Sequence, residues 1–507
     1  MTQLDRHFAP LWLLVLLQGA ISACSLIVEI VAGRMVAPYV GMSLYTWTAI
    51  IAVVLAGFSL GHWWGGRIAA GASNRGLRAT GWAMLAAGFS TAGAGYLLSS
   101  FAGGLLQVMG HPMLGITAIT TLAFFLPSVF AGIPAPVLTV VAMRGRPEAE
   151  RALGVMFATG AVGAIAGTVL AGFAFVPFFG SITTLAVVAL AYLVSAIVCF
   201  WLGGAGRPDL RQGTAILGLL AALGASHWLQ RSPCDRESAY YCIRTVALAD
   251  DPGDRVHLMV IDHLAHGISG QRDPYLMFTD HAAMLDVLPR LRMGGADFTS
   301  FHIGGGSYSV PRAWAARGQG AITVAEIDPV VTQLAEQQFW LQPGLMRILH
   351  QDARVLLQND PTRYDVIVGD AFTDIAVPEH LVTQEFLQLV AARLNPGGIY
   401  AMNFIDTPAR MQALAAMVAT LRSVFPSVEI WTEATPPAPQ ERRIFVLLAS
   451  AEDSPFSSIT TRSPDPIRFQ PLGQAFVDQL LARHSPKVFT DDHAPLAYLM
   501  GFEQGAF

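Results

Sequence analysis

The sequence predicts a polytopic α-helical membrane domain over residues 1–230, a small β-rich domain over 231–290 and a Rossmann-like α/β domain over 291–507. Three observations predict this: an uneven distribution of charge, a series of long apolar runs, and an alternation of short strands with helical stretches beyond residue 298. Of the 507 residues, 53% are hydrophobic and only 13% charged, against roughly 25% charged in soluble domains. Residues 1–230 hold 10 Lys+Arg and 5 Asp+Glu, whereas residues 231–507 hold 21 and 31. The first part is too poor in charge to keep a surface wet; the second has ordinary soluble composition.

A membrane crossing needs about 20 apolar residues. Candidate spans lie near 10–33, 44–70, 79–101, 113–143, 152–175 and 181–203, with a weaker one at 213–229 that would just cross or would lie at the interface. Pro127, Pro134 and Pro136 make the fourth long and kinked, which a helical bundle tolerates. The spacing Gly160-Ala161-Val162-Gly163-Ala164-Ile165-Ala166-Gly167 suits close helix packing. His62-Trp63-Trp64 reads as an interfacial anchor.

Arginines mark the cytoplasmic loops of membrane proteins. Here Arg75 and Arg78 follow the second span, Arg144, Arg146 and Arg151 the fourth, and Arg207 and Arg211 the sixth, while the alternate loops near 102–112 and 176–180 carry no charge. Six spans leave the C-terminal part in the cytoplasm; seven put it outside. Cys234 and Cys242 would form a disulfide in the latter case. Glu29, within the first apolar run, is either a functional carboxylate at membrane depth or a structural partner of Arg34 or Arg67, although five residues is not an ideal spacing for Glu29 and Arg34.

Several classes are excluded. An acidic C-terminal half whose one lysine is Lys487 has no basic surplus to follow a phosphate backbone, so nucleic acid is not an expected partner. Four cysteines without CxxC spacing make neither a disulfide scaffold nor a zinc site. His257, His263, His266, His281, His302 and His350 show no metal-binding spacing and read as core or cleft residues. The first apolar run is not a cleavable leader, because further spans follow it directly.

In the C-terminal part, Phe301-His302-Ile303 ends a strand and runs into Gly304-Gly305-Gly306-Ser307, then a helix through Trp314. The next strand, Ile322–Asp328, places Glu326 20 residues after Gly306. A glycine turn lets a ligand approach the backbone, and an acid ending the second strand takes both ribose hydroxyls. Asp352 and Asp370 end two further strands in order. Ligands of open α/β sheets bind outside the carboxyl ends of the strands, so these residues would converge on a nucleoside. The alternative, acids that merely cap helices, accounts for one or two of them.

The order Gly-Gly-Gly, Glu-Ile-Asp, Asp-Ala, Asp-Ala-Phe resembles the spermidine synthase family, whose fold is that of the class I, S-adenosylmethionine-dependent methyltransferases. The resemblance covers about residues 237–450 and begins at Ser238-Ala239-Tyr240-Tyr241-Cys242-Ile243 and Ile261-Asp262-His263-Leu264-Ala265-His266, which look like that family's small β-domain. With its apolar first half, the chain resembles bacterial membrane-bound spermidine synthase-like proteins. Their signatures are matched by Glu29…Arg34…Pro38-Tyr39, Asp370-Ala371-Phe372 and Thr490-Asp491-Asp492-His493-Ala494-Pro495.

The resemblance implies that Gly304, Gly305, Gly306 and Ser307 cradle the nucleoside, Glu326 holds the ribose, Asp352 the adenine amino group, and Asp370 takes the proton of an attacking amine. It implies no metal. Departures fall in the substrate pocket. Ser307 stands where the family has an aspartate facing the aminopropyl ammonium, Tyr241 and His266 replace glutamines, His281 opens the run that reads Tyr-His-Glu-Met in the family, and the second acid is displaced to Asp374. The nucleoside half is kept and the diamine pocket largely lost.

The expected function is a membrane-anchored enzyme that opens S-adenosylmethionine or its decarboxylated form at the carbon γ to the sulfonium and releases 5′-methylthioadenosine. The nucleophile is an amine or the substrate's own carboxylate, closing to a lactone. The competing readings are methyl transfer to a lipid or small molecule, and a transporter or sensor that binds a nucleoside without turnover. The implied location is the bacterial inner membrane, with membrane lipid around the helices and the globular domain in the cytoplasm, where S-adenosylmethionine is made. A homodimer is left open.

Overall fold

The computed structural model describes residues 9–109, 111–204, 209–229, 232–373, 376–438 and 441–500. They form two compact units that divide between Cys242 and Ile243. The boundary falls twelve residues beyond that expected from composition, and the small sheet shares a unit with the large one.

The N-terminal unit is helical: α1 (Leu11–Val40), α2 (Leu44–Ala69), α3 (Ser73–Met109), α4 (Met113–Met143), α5 (Ala149–Leu170), α6 (Val176–Leu202) and α7 (Leu210–Leu229). Among the described residues, four stretches, Leu11–Val40, Leu44–Ala69, Met113–Met143 and Ala149–Leu202, are long and apolar enough to cross a membrane. The last is 54 residues long and is interrupted by Gly180, whose φ of 73° and ψ of 170° no helix contains. This break falls between the two spans read from the sequence. Helix α3 is less apolar and packs along α6, where a β-carbon at Gly81 would meet the Phe200 ring and one at Gly88 the Ala189 carbonyl.

Small residues permit these crossings. A β-carbon at Gly163 would collide with the backbone of Gly19, and one at Gly167 with that of Ala23, so α1 and α5 meet backbone to backbone. The glycine–alanine spacing read from the sequence therefore packs helices. Pro127 follows a π-helical turn at Thr121–Phe125 within α4. Cys234 and Cys242 are joined by a disulfide, while Cys24 and Cys199 are free and buried.

An antiparallel meander starts at the boundary, β1 (Cys242–Ala249), β2 (Val256–Ile261) and β3 (Leu264–Gly270), and is followed by α8 (Asp280–Arg292). The large sheet comprises β4 (Ser300–Ile303), β5 (Ile322–Ala325), β6 (Arg347–Leu349), β7 (Tyr364–Gly369), β8 (Leu394–Asp406), β9 (Ser427–Glu433), β10 (Arg443–Ser450), β11 (Ile459–Ser463) and β12 (Asp465–Pro471). Its order is β11-β12-β9-β10-β8-β7-β4-β5-β6.

Strands β6, β5, β4, β7 and β8 are parallel, while β10 runs antiparallel to β8. Every residue of β4 and β5 is buried, as expected where helices cover both faces of a sheet. Helices α9 (Ser309–Ala316), α10 (Pro329–Gln338) and α11 (Ala353–Asn359) follow β4, β5 and β6, and α12 (Gln384–Ala392) and α13 (Gln412–Arg422) follow β7 and β8. The Rossmann-like expectation holds. The chain leaves β4 toward β5 and β6 on one side and resumes at β7 on the other, so the switch point where such sheets bind ligands lies between β4 and β7.

Candidate active site

Backbone bonds draw the strand ends together. Asp370 N donates to Ile303 O at 2.9 Å, Gly304 N to Ala325 O at 2.9 Å, and Glu326 N to Leu349 O at 3.1 Å. Gly304 has φ of 93°, and a β-carbon there would run into the carbonyl of Asp370. Only glycine fits where the two strand ends pass. The sequence-derived residues Gly304, Gly305, Gly306, Glu326, Asp352 and Asp370 thus all lie at the carboxyl edge of one sheet.

Glu326 is buried, and its carboxylate is already engaged. Oε2 accepts the Gly305 amide at 2.8 Å and Oε1 the Asp328 amide at 2.9 Å. Burial raises its pKa, opposed by the amides of Asp328, Gly305 and Gly306. It is a fixed element that shapes the glycine turn, rather than a free surface ligand.

Asp352 caps α11, its Oδ1 accepting Val355 N at 3.0 Å, and its Oδ2 is 2.8 Å from His380 Nε2. His380 is exposed and was not marked by any sequence signal. Two residues along, Arg354 holds Asp491 through Nη1 and Nη2 at 2.7 and 2.6 Å, and Thr383 Oγ1 donates to the same carboxylate at 2.7 Å. The Thr490–Pro495 motif is therefore anchored beside Asp352.

Asp370 is half-buried. Its Oδ1 accepts Asn403 Nδ2 at 2.8 Å, and Asn403 Oδ1 is buried without a partner among the described residues. Asn403 interrupts the apolar run of β8, a polar residue in a buried strand that the sequence analysis overlooked. His266, His281, Gly304, Gly305, Ser307 and Asp370 line one cleft, floored by His302.

His266 donates Nδ1–H to Leu264 O at 3.0 Å. Burial lowers its pKa, opposed by that bond, Asp370 and the Phe372 backbone, with His281 adding to the depression. His281 Nε2 is 3.4 Å from Thr279 Oγ1. Burial also pushes the His302 imidazole down to about 3, and its ring packs edge-on to Trp314, as a core residue does.

Ser307 departs from expectation. It is 2% exposed, and its hydroxyl turns to Ser309 Oγ at 2.6 Å, which in turn meets Ile268 O at 3.0 Å. It ties the glycine turn to β3 while lining the same cleft as Asp370. Tyr241 falls in the N-terminal unit, where its carbonyl accepts Ser238 N at 2.9 Å. Asp374 lies outside the described residues.

Residues 319–458 match the family described as the spermine/spermidine synthase domain. The chain is 30% identical over 220 residues to the N-terminal histidine N-methyltransferase of Emericella nidulans, covering 41% of this chain and 38% of the relative. It is 38% identical over 128 residues to a polyamine aminopropyltransferase of Vibrio vulnificus, covering 24% and 42%. It thus spans less than half the length of either relative. A polyamine aminopropyltransferase 2 of Streptomyces coelicolor is 26% identical over 442 residues, covering 79% and 75%, a stretch too long to be confined to the C-terminal unit.

Proposed function

We propose that the protein is a membrane-anchored alkyltransferase that opens S-adenosylmethionine or its decarboxylated form at the carbon γ to the sulfonium. A nucleophile's lone pair forms the new bond to that carbon, the carbon–sulfur bond breaks, and its electron pair leaves with 5′-methylthioadenosine. With an amine nucleophile, the proton lost from nitrogen passes to Asp370; with the substrate's own carboxylate, a lactone closes and no proton moves. The observation that carries this reading is the half-buried carboxylate of Asp370, held by Asn403 at the switch point beside the Gly304–Gly306 turn.

The sulfonium is already a good leaving group, so the protein's work is alignment and proton removal. Glu326 and Asp352 would hold the ribose and adenine. Among the described residues that line the tight cleft around His266 and His281, Asp370 is the one carboxylate. A dication held at both ends calls for more acids, so the loss of the family's aspartate at Ser307 and of its glutamines at Tyr241 and His266 favours a monoamine or an internal nucleophile over a diamine.

The second reading is methyl transfer, supported by the likeness to the histidine N-methyltransferase. Incubating the full-length protein in membranes with each sulfonium, with and without putrescine, decides between them. 5′-Methylthioadenosine as the nucleoside product supports the first reading; S-adenosylhomocysteine replaces it with the second.

A further inference from the structure

We propose that the C-terminal unit leaves the membrane on the oxidising, extracytoplasmic side, where its site draws on a pool of substrate carried across the membrane. The inference rests on the membrane reading of α1–α7 and on contacts within the N-terminal unit alone.

One end of the helical unit gathers the arginines. Arg146 Nη2 donates to Ala9 O at 2.7 Å, at the start of α1. Arg144 donates to Ala69 O at 2.6 Å and to Gly71 O, between α2 and α3. Arg78 Nε donates to Gly203 O at 2.9 Å, past the end of α6. The start of α1, the α2–α3 turn, the α4–α5 turn and the end of α6 therefore share one face, bearing Arg75, Arg78, Arg144, Arg146 and Arg151. By the bias of basic residues toward short cytoplasmic loops, this face is cytoplasmic.

The segment just before Ile243 is fastened to the other end. Arg34 donates to Ser238 O at 2.8 Å and to Tyr240 O, and the Glu237 carboxylate accepts Ser181 N at 2.9 Å as well as Ser181 Oγ. Arg34 lies roughly 25 residues along α1 from Ala9, or about 37 Å at 1.5 Å per residue. That exceeds the hydrocarbon thickness of about 30 Å. Ser181 follows the Gly180 turn, which joins two legs whose far ends both lie on the arginine face.

Helix α7 makes the connection. Its 20 residues extend about 30 Å, and it packs along α3 and α6, with Leu219 buried against Gly88. It starts after Gly203 on the arginine face and delivers residues 232–242 to the opposite one. The Cys234–Cys242 disulfide lies on that opposite face, and disulfides persist where the compartment is oxidising. The inference thus places the C-terminal unit opposite to the cytoplasmic location expected from substrate chemistry. Methionine is adenosylated with ATP inside the cell, so a translocation of the sulfonium nucleoside must precede any turnover at this site.

The test is a pair of C-terminal fusions to the full chain in bacterial cells, alkaline phosphatase and green fluorescent protein, with the same reporters placed at residue 147 as the opposite-side control. Intact cells are also trapped with a maleimide-polyethylene glycol reagent, with and without reduction. The inference expects an active C-terminal phosphatase, a dark fluorescent fusion, the reverse at residue 147, and two added thiol modifications that appear only after reduction and vanish in Cys234→Ser/Cys242→Ser. A membrane-bound protein with a fluorescent C-terminal fusion and two thiols reactive without reduction overturns the sidedness alone. Recovery of the full-length chain in the soluble fraction overturns the membrane reading, and the sidedness with it.

Discussion

Asn403 Nδ2 lies 2.8 Å from Asp370 Oδ1, bridging the adjoining strands β8 and β7 at the switch point of the sheet. A carboxylate held this way is fixed in direction, and its second oxygen is left for the proposed proton transfer. Asp370→Asn preserves shape but accepts no proton. Turnover of an amine should fall about 10²–10⁴-fold, the usual worth of general base catalysis. If the substrate closes on its own carboxylate, the loss should be smaller and persist at high pH. Methylthioadenosine release across pH, with and without added polyamine, separates the two, and a fully active variant removes Asp370 from the chemistry.

Asn403→Ala should lower kcat by roughly 10- to 100-fold, the range for a lost hydrogen bond to a charged group. Nucleoside affinity should change little, because Asn403 touches Asp370 rather than Glu326, the proposed ribose ligand. Steady-state kinetics beside isothermal titration checks the split. Equal losses in both would make Asn403 a structural residue.

Glu326→Ala removes the acceptor for two backbone amides as well as the proposed ribose ligand. It should cost about 1–3 kcal/mol of stability for each amide left unpaired in addition to nucleoside binding. Burial raises the folded pKa of Glu326, so the native state binds more protons than the unfolded chain above the ordinary carboxylate range. Stability from this group therefore falls as pH rises through that raised value. Thermal melts of Glu326→Ala should lose this part of the pH dependence; unchanged melting and unchanged nucleoside affinity together would remove the assignment.

Ser307→Asp sets specificity against room. A direct view of the substrate would predict a switch toward the decarboxylated sulfonium, since a new carboxylate repels the old one. With Ser307 buried against Gly267 and bonded to Ser309, the added carboxylate meets backbone instead. The expected outcome is destabilisation of at least about 3 kcal/mol, as for other buried unpaired charges. Denaturant titration and the ratio of rates on the two sulfoniums check it; a stable variant with a shifted ratio would show Ser307 facing substrate.

Arg354→Ala should release Asp491. The Arg354 hydrogen bonds hold the Asp491 pKa below the ordinary carboxylate range, helped by Thr383. Its contribution is present above the unfolded value and lost as pH falls through the depressed one. The pair is partly exposed, so the global effect is small. The readout is local: faster proteolysis or hydrogen exchange over residues 489–495 in the variant, levelling with the parent at acid pH.

Sequence by itself determined the two-part architecture, because a segment with about 7% charge cannot keep a surface wet, while alternating strands and helices after residue 298 dictate a parallel sheet. It also determined the glycine turn and the acids at successive strand ends, since each is local chemistry at a fixed place in a repeating βα pattern. Tertiary structure decided what is joined across distance. His380 meets Asp352, Asn403 meets Asp370, and Arg354 meets Asp491 only after the sheet orders its strands. The same holds for Ser307, whose direction follows from β3 passing behind the turn, and for the side on which the chain leaves the helices, set by Arg34 and Ser181 gripping residues some 200 and 56 positions away. Periodicity and motif are properties of neighbours in the chain, whereas these pairings depend on which surfaces exclude water together, and no local pattern records that.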